Sequence, residues 1–267
     1  MRAAGTLSII TLTTDFGTDS PYAAAMKGVI LSIHPAVTLV DITHAIRPQD
    51  IRHGALVLED VAERFPPQTI HVAVVDPGVG TDRAIVWARI GQQQYVAPDN
   101  GLLGRLARRT PPSKIIRLEN KEYWLRPVSA TFHGRDIMAP AAARLSLGLE
   151  PERLGPAQKR LADLTWPEVR IAPDRIEGNV LLADSFGNLI TDITAKMLSG
   201  RATDSHVHIA CAGRETWGIH RTYAEVPAGN FVALVGSSGR LELALVNGNA
   251  AARFNIKPGA PVVLTWK

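Results

Sequence analysis

The stretch Ile70-His71-Val72-Ala73-Val74-Val75-Asp76-Pro77-Gly78-Val79-Gly80 decides the fold. Residues 70–75 form a mainly apolar, β-branched run, which is typical of a strand buried on both faces of a parallel sheet. The run ends at a carboxylate, a proline and two glycines, and glycine lets backbone approach a ligand closely. Ligands of α/β proteins bind at the carboxyl ends of such strands. The loop that begins at Asp76 is therefore a candidate site.

Five other polar, glycine-containing loops lie where apolar runs end or begin. They are Thr14-Asp15-Phe16-Gly17, Pro98-Asp99-Asn100-Gly101, Phe132-His133-Gly134-Arg135-Asp136, Asp184-Ser185-Phe186-Gly187-Asn188 and Gly236-Ser237-Ser238-Gly239. A turn alone accepts many other residues. So many loops of this type in one chain predict a convergent site rather than unrelated turns.

Apolar runs on both sides of the first stretch alternate between strand and helix patterns. Residues 7–13 and 37–42 have strand character, whereas residues 22–32 and 51–64 have helical spacing. This alternation predicts an α/β layered domain with a mostly parallel sheet over residues 1–165.

The pattern changes after Val169. Short β runs are separated by turns at residues 179–183, 189–193, 206–209, 231–235, 241–246 and 261–266. We therefore expect a smaller antiparallel β domain over residues 170–267.

Composition excludes several classes of protein. The chain has 267 residues, 46% of them hydrophobic and 20% charged, as in soluble globular proteins. The net charge of +4 is spread without a long basic run, so we expect no nucleic-acid partner. We also expect no membrane association, since no apolar stretch approaches the ~20 residues that span a bilayer. The single cysteine, Cys211, allows no intrachain disulfide and, with no signal-peptide pattern at the start, predicts a cytoplasmic protein.

The residues of the first domain leave more than one kind of chemistry open. Asp15 follows the first strand, where a carboxylate either binds the two vicinal hydroxyls of a ribose or caps the next helix. Asp76, Arg83 and His133 lie on separate loops and are suited to orienting a water molecule for attack. A metal site built from Asp15, Asp99, Asp136 and His133 is the competing interpretation.

That metal site lacks any close pair of ligands such as HExxH, so we expect no metal. The chain also has no Gly-Lys-Ser/Thr phosphate loop and no GxGxxG motif, which makes a nucleoside triphosphate a poor candidate ligand.

The second domain offers three polar loops. Asp184 can bind an ammonium group, Phe186 can stack on a ring and Asn188 can read a base edge, although the same residues also form plain turns. Ser237 and Ser238 are suited to a carboxylate. The loop Asn247-Gly248-Asn249-Ala250-Ala251 places small residues where a flat ring could lie.

Taken in order, the motifs resemble those of the S-adenosyl-L-methionine (SAM) hydroxide adenosyltransferases, the adenosine-forming SAM hydrolases, which are relatives of the fluorinases and chlorinases. The resemblance runs nearly end to end. It is carried by Thr13-Thr14-Asp15-Phe16-Gly17, Val74-Val75-Asp76-Pro77-Gly78-Val79-Gly80, Ala97-Pro98-Asp99-Asn100-Gly101, Thr131-Phe132-His133-Gly134-Arg135-Asp136, Asp184-Ser185-Phe186-Gly187-Asn188-Leu189-Ile190-Thr191 and Asn247-Gly248-Asn249-Ala250-Ala251.

The resemblance implies an α/β domain followed by a β-barrel-like domain. It implies homotrimers that bind SAM between the first domain of one subunit and the second domain of the next. The implied reaction is attack of water or hydroxide at ribose C5′, which gives adenosine and L-methionine without a cofactor. The Asp-Arg-His set of the hydrolases corresponds to Asp76, Arg83 and His133. Two ways of activating the nucleophile stay open: His133 accepts a proton from the attacking water, or Arg83 stabilises a hydroxide.

The resemblance also implies roles for the binding residues. Asp15 corresponds to the ribose ligand, Asp184 to the partner of the methionine ammonium and Asn188 to an adenine contact. Ser237 or Ser238 corresponds to the carboxylate contact, and backbone at Ala250 or Ala251 to a further adenine contact. Many relatives have an aspartate at the position of Ser20, whereas here the acid is Asp19, one residue earlier.

Three other functions compete with SAM hydrolysis. A halide-dependent adenosyltransferase is disfavoured because the Asp-Arg-His set is intact and Gly134 stands where the fluorinase pattern has a serine. A non-catalytic SAM or adenosine sensor would not need that set. A metal-dependent phosphoesterase would lose its activity in EDTA.

Overall fold

The computed structural model describes residues 8–266. The chain forms two compact units that divide between Leu164 and Thr165.

The first unit contains a six-stranded sheet. Its strands are β1 (Ile9–Thr14), β2 (Thr38–Thr43), β3 (Ile70–Val74), β4 (Ile85–Ile90), β5 (Gln93–Pro98) and β6 (Pro112–Arg117). They lie in the order β2-β1-β3-β5-β4-β6. The pairs β1–β2, β1–β3 and β3–β5 are parallel, and β4 runs antiparallel to both β5 and β6. The prediction of a mostly parallel sheet in an α/β domain is confirmed.

Helices cover both faces of this sheet. They are α1 (Tyr22–Ile33), α2 (Ile51–Val61), α3 (Gly104–Arg109) and α4 (Ala139–Ser146), the last directly preceded by a π-helical turn (Gly134–Met138). Successive residues of β3 point to opposite faces. Val72 and Val74 belong to a cluster that includes α1 and α4 residues, whereas Ala73 and Val75 belong to one with α2 and α3 residues. Every residue of β3 is buried, as its apolar run predicts.

The connections of β1 create a crevice at one edge of the sheet. The chain leaves β1 for β2 on one side and then returns to β3 on the other side. Ligands of open α/β sheets bind outside the carboxyl ends of strands at such a switch point. Here Asp15 follows β1 directly, Asp76 comes two residues after β3, and Asp15 N–H donates to the carbonyl of Val74 over 3.4 Å.

The second unit is an antiparallel β structure. Its strands are β7 (Arg170–Ala172), β8 (Arg175–Ala183), β9 (Leu189–Thr194), β10 (Val207–Cys211), β11 (Arg214–Trp217), β12 (Phe231–Val235), β13 (Arg240–Leu245) and β14 (Pro261–Trp266). Seven of them follow the order β11-β10-β14-β8-β9-β13-β12, and β7 pairs with β8. His220, just after β11, donates its N–H to the carbonyl of Ala233 on β12 over 2.8 Å. This contact brings the two ends of the sheet together, which confirms the β-barrel-like architecture.

Two short helices interrupt this unit, α5 (Ala195–Leu198) and α6 (Ala250–Phe254). The second lies where the sequence predicts only a polar loop. Asn249 caps it by accepting a hydrogen bond from the Ala252 N–H over 2.7 Å. The loop therefore ends at Asn249, and Ala250 and Ala251 form the first turn of a helix.

Within residues 8–266, the structure contains no helix whose length and hydropathy would let it traverse a bilayer.

Candidate functional site

The crevice at the carboxyl ends of β1 and β3 contains a cavity of about 260 Å³. Three of the residues that the sequence analysis singles out line it, namely Asp15, Asp76 and His133. The rest of the wall is formed by Phe16, Gln49, Val74, Pro77, Val79, Thr131, Phe132 and Gly134. His133 also lines a second cavity of about 180 Å³, to which Arg83 contributes as well.

Asp76 and Arg83 form a largely buried ion pair. Arg83 Nε lies 2.7 Å from Asp76 Oδ1 and 2.9 Å from Oδ2, and a terminal guanidinium nitrogen also donates to Oδ2. The Asp76 and Arg83 side chains are 5% and 10% exposed, respectively. A bidentate pair of this kind fixes the orientation of both the carboxylate and the guanidinium. A carboxylate has about four lone-pair sites, so Asp76 can still accept a hydrogen bond from the cavity.

The loop between these residues depends on Gly80. Its φ is +82°, and a Cβ there would lie 2.6 Å from the carbonyl oxygen of Ala130. Turn hydrogen bonds from Val79 N–H to the carbonyl of Asp76 and from Thr81 N–H to that of Gly78 close the loop. This tight return brings Arg83 back onto Asp76.

His133 contacts the same arginine. A terminal nitrogen of Arg83 lies 3.0 Å from His133 Nδ1. Because arginine can only donate hydrogen bonds, Nδ1 is the acceptor and the proton of the neutral ring is on Nε2. Burial, reinforced by the charge of Arg83, lowers the pKa of His133 below its usual value of 6.5. The imidazole is therefore neutral at pH 7, with Nε2 as a donor.

The backbone around His133 is fixed by hydrogen bonds to Asp136 and by close packing at Gly134. Asp136 is 1% exposed and accepts hydrogen bonds from the Ser129 N–H over 2.8 Å and from Arg135 Nε over 2.6 Å. A Cβ on Gly134 would lie 3.3 Å from Met26 Sδ and from a methyl group of Val74. The close packing of this turn against β3 places His133 beside the end of that strand.

Asp15 is oriented by an unusual backbone conformation. Gln49 has φ of +64°, in the left-handed region that few residues other than glycine adopt. Its N–H donates to Asp15 Oδ2 over 2.8 Å. The next helix, α1, begins only at Tyr22, with Pro21 at its N-cap, so Asp15 does not cap it.

The acids of the competing metal site are engaged elsewhere. Asp99 accepts hydrogen bonds from Gln158 Nε2 and from the Ala162 N–H, each over 2.7 Å. Asp136 is paired with Arg135. Across residues 8–266, no three His, Cys, Asp or Glu side chains come together in an arrangement that would hold a metal ion.

Ser20, which stands where many relatives have an aspartate, and its neighbour Asp19 both form hydrogen bonds within their own loop. Ser20 Oγ donates to the carbonyl of Phe16 over 2.8 Å, whereas Asp19 is exposed and accepts a hydrogen bond from Thr18.

The candidate residues of the second unit form another group. Asp184 Oδ1 accepts hydrogen bonds from the N–H groups of Phe186 and Asn188, and Oδ2 accepts one from Asn188 Nδ2 over 3.0 Å. Asp184 therefore closes its own turn, one of the two roles that the sequence leaves open. The turn displays Phe186, whose side chain is 75% exposed.

This turn is joined to the helix α6. Gly187 has φ of +85°, and its carbonyl accepts a hydrogen bond from the Ala251 N–H over 3.0 Å. Ala250 is fully buried beside it, and Asn247 has φ of +55°. The loops at residues 184–188 and 247–251 therefore meet.

Sequence reasoning missed Tyr223 and Glu242, which connect to these loops. The Tyr223 hydroxyl donates to Glu242 Oε1, and Asn188 Nδ2 lies 3.5 Å from the same hydroxyl oxygen. Burial raises the pKa of Glu242, the hydrogen bond from Tyr223 opposes that shift, and the charge of Asp184 adds to it. The available signal was a lone acid within the apolar alternation of β13.

The third loop lies beside Glu242. Ser237 and Ser238 lie at the tip of a turn in which Gly239 N–H donates to the carbonyl of Gly236 over 2.9 Å. A Cβ on Gly236 would lie 2.4 Å from Glu242 Oε2. The structure thus collects the predicted residues into two groups, one in each unit.

Comparison with known proteins gives these groups a context. The family model described as the SAM hydroxide adenosyltransferase N-terminal domain matches residues 10–155, and the C-terminal domain of the same family matches residues 178–263. A Thermus thermophilus protein named (R)-S-adenosyl-L-methionine hydrolase is 40% identical over 94% of this chain and 97% of its own length.

Two further similarities are more distant in sequence. A protein of Actinoplanes sp. named fluorinase is 27% identical over 96% of this chain and 97% of its own length. The crystal structure of an uncharacterized conserved protein from Thermotoga maritima matches with a TM-score of 0.90 at 33% identity, over 96% of this chain and 99% of that one. With both family domains matched over most of its length, the chain belongs to the SAM hydroxide adenosyltransferase family.

Proposed function

We propose that this protein hydrolyses SAM at ribose C5′ and releases adenosine and L-methionine. The observation that carries the proposal is the contact of Asp76, Arg83 and His133 beside a cavity at the switch point of the sheet. Two observations support hydrolysis over halide transfer. The Asp76, Arg83 and His133 set is complete, and the chain is more similar in sequence to a named hydrolase than to a fluorinase.

The reaction needs little more than alignment of its partners. SAM is a sulfonium, so its sulfur leaves as a neutral thioether. The oxygen of water forms a bond to C5′, the C5′–S bond breaks with its electron pair going to sulfur, and one proton of the water is lost. Correct alignment of two reactants contributes about 7 kcal/mol or more to lowering a barrier. No metal and no cofactor is needed, and SAM is the substrate.

The geometry suggests how the water is held. Of Asp76, Arg83 and His133, only Asp76 lines the cavity with a side chain that can still accept a hydrogen bond. Asp76 therefore accepts a hydrogen bond from the water and then its proton. Arg83 fixes the Asp76 carboxylate, and the Nε2–H of His133 donates to the water oxygen or to a hydroxide. This arrangement favours a donor role for His133 over the role of general base, because its other nitrogen is occupied by Arg83.

The remaining residues bind the two ends of SAM. Asp15, with Oδ2 held by Gln49, accepts hydrogen bonds from the ribose hydroxyls. In the second unit, Asn188 contacts adenine, with Phe186 stacking and backbone at Ala250 or Ala251 nearby. Asp184 pairs with the methionine ammonium, Ser237 or Ser238 binds the carboxylate, and Asn247 borders the pocket.

Two further parts of the proposal have separate grounds. The family resemblance supports a homotrimer in which each site combines the first unit of one subunit with the second unit of its neighbour. Action in the cytoplasm is supported by the single cysteine, which allows no intrachain disulfide.

The deciding experiment incubates the purified protein with SAM in ¹⁸O-labelled water, in halide-free buffer with EDTA. We expect adenosine labelled at O5′ and an equal amount of methionine. Activity only after addition of chloride or fluoride would indicate a halide-dependent transferase, and SAM binding without products would indicate a sensor. Loss of activity in EDTA would indicate metal-dependent chemistry.

A further inference from the structure

Glu242 is a buried acid on an internal strand of the second unit. It lies on β13 between β9 and β12, and the residue is 6% exposed. A buried carboxylate is costly unless hydrogen-bond donors reach it. The Tyr223 hydroxyl supplies such a donor.

This contact sets the direction of a chain of hydrogen bonds. A carboxylate can only accept, so the single proton of Tyr223 points to Glu242. The hydroxyl oxygen of Tyr223 is then an acceptor towards Asn188, and Asn188 Nδ2 lies 3.5 Å away. The same nitrogen donates to Asp184 Oδ2 over 3.0 Å.

Both protons of the Asn188 amide are therefore used within the protein. Among residues 8–266, Asn188 Oδ1 accepts no hydrogen bond. The atom that Asn188 can offer to a ligand is thus an acceptor, and its orientation depends on Tyr223 and Glu242.

We propose that Tyr223 and Glu242 are positioning residues that fix the amide of Asn188 with Oδ1 towards the ligand and so select a base with an exocyclic amine. This inference rests on the proposed function, which puts the adenine of SAM at Asn188. The amine of adenine donates to Oδ1, whereas the carbonyl of hypoxanthine at the same place would set two acceptors against each other.

The test measures dissociation constants of adenosine and inosine by calorimetry, with the full-length wild type, Tyr223→Phe and Glu242→Gln. The wild type should prefer adenosine, and Tyr223→Phe should reduce that preference about fivefold to tenfold, the value of one hydrogen bond. Glu242→Gln should reduce it less, because an amide can present either a donor or an acceptor to Tyr223. KM for SAM should rise more than turnover at saturation falls.

Two control variants separate positioning from general loss of structure. Glu225→Gln changes a nearby acid that pairs with His220, and Tyr123→Phe removes a hydroxyl from the first unit. Both should keep the wild-type preference. If Glu242→Gln does not fold, Tyr223→Phe decides alone, since Tyr223 is 39% exposed and loses one oxygen atom.

The inference is overturned if the wild type does not prefer adenosine or if Tyr223→Phe keeps the wild-type preference. Its failure is distinguishable from that of the proposed function. A wild type that cleaves SAM while the preference is insensitive to Tyr223 refutes the inference alone. A wild type that shows the Tyr223-dependent preference but does not cleave SAM refutes the proposed function alone.

Discussion

The two ring nitrogens of His133 have different environments. Nδ1 accepts a hydrogen bond from Arg83, whose guanidinium cannot lose its proton, while the ring borders the cavity. A histidine held in this way has Nε2–H free to donate, and our proposal leaves Asp76 as the proton acceptor.

Substitution of His133 tests whether its side chain acts as a hydrogen-bond donor or as a general base. We expect His133→Ala to lower kcat by about 10², the lower end of the usual range for loss of one preorganised hydrogen-bond donor. His133→Gln should retain activity to within about tenfold of wild type, because its amide N–H can replace the Nε2–H donor. Single-turnover rates measure the effect, with SAM affinity measured in parallel.

SAM affinity should remain close to that of wild type in both variants. If His133→Gln is as inactive as His133→Ala while binding SAM normally, His133 acts as the base and the donor role is wrong.

The pH dependence of kcat/KM follows from the same contact. Burial and Arg83 lower the pKa of His133, so the neutral form persists at pH 7 and is lost only as pH falls through a value below 6.5. Protonation of Nδ1 would set two donors against each other and break the contact with Arg83. We expect an acid limb with an apparent pKa below 6.5 that disappears in His133→Gln. An unchanged limb in that variant would assign it to another group.

At the scale of secondary structure elements, the turn at residues 184–188 depends on Gly187. Its φ is +85°, and a Cβ there would lie 2.0 Å from Asn249 Oδ1, the atom that caps α6. The turn and the helix are thus packed together at a position that admits no side chain.

Gly187→Ala should therefore destabilise the protein more than alanine at an unconfined glycine. Gly213 is the matched control, because its φ is +75° and a Cβ placed there would have no neighbour within 4 Å. We expect about 1 kcal/mol for Gly213→Ala from the left-handed backbone alone, and about 3 kcal/mol for Gly187→Ala, since the clash adds to it. Urea titration gives both values. Equal losses would show that Asn249 moves aside without cost.

The spacing of apolar residues along the sequence was enough to predict the strands and helices that bury one or both faces. The apolar run of β3 and the alternation in the second unit predicted the two architectures because burial imposes those periods. The strand β6 was not predicted, since only Ile115 and Ile116 of it are buried. The helix α6 was missed because five residues are too few to show a helical period.

The same limit applies to the candidate site. Asp15, Asp76 and His133 could be selected because each follows or begins a regular element. Glu242 was visible only as a lone acid in the apolar pattern of β13. Its link through Tyr223 to Asn188 is made by segments that are distant in sequence and meet only in the folded barrel.

At the scale of the whole molecule, each unit carries one part of the proposed machinery. The nucleophile-positioning residues lie before Leu164 and the proposed adenine and methionine contacts lie after Thr165. If the site combines units of neighbouring subunits in a homotrimer, two chains with different defects can complement each other.

Co-expression of Asp76→Ala and Asp184→Ala chains, each with its own tag, tests this arrangement. Each variant alone should have little activity, through turnover for Asp76→Ala and through SAM binding for Asp184→Ala. In a cyclic trimer that contains both kinds of chain, about one third of the interface sites have both halves intact, whichever chain is present twice. We therefore expect doubly tagged trimers to recover about that share of wild-type activity.

The mass of the purified complex, measured by light scattering, must be that of a trimer for this arithmetic to hold. As a control, Asp76→Ala chains are combined with His133→Ala chains, whose defects lie in the same unit, so no site in the mixture becomes intact. Activity in the Asp76/Asp184 pair but not in this control would require a site shared between subunits. Equal inactivity of both pairs, in verified mixed trimers, would place each site within a single chain.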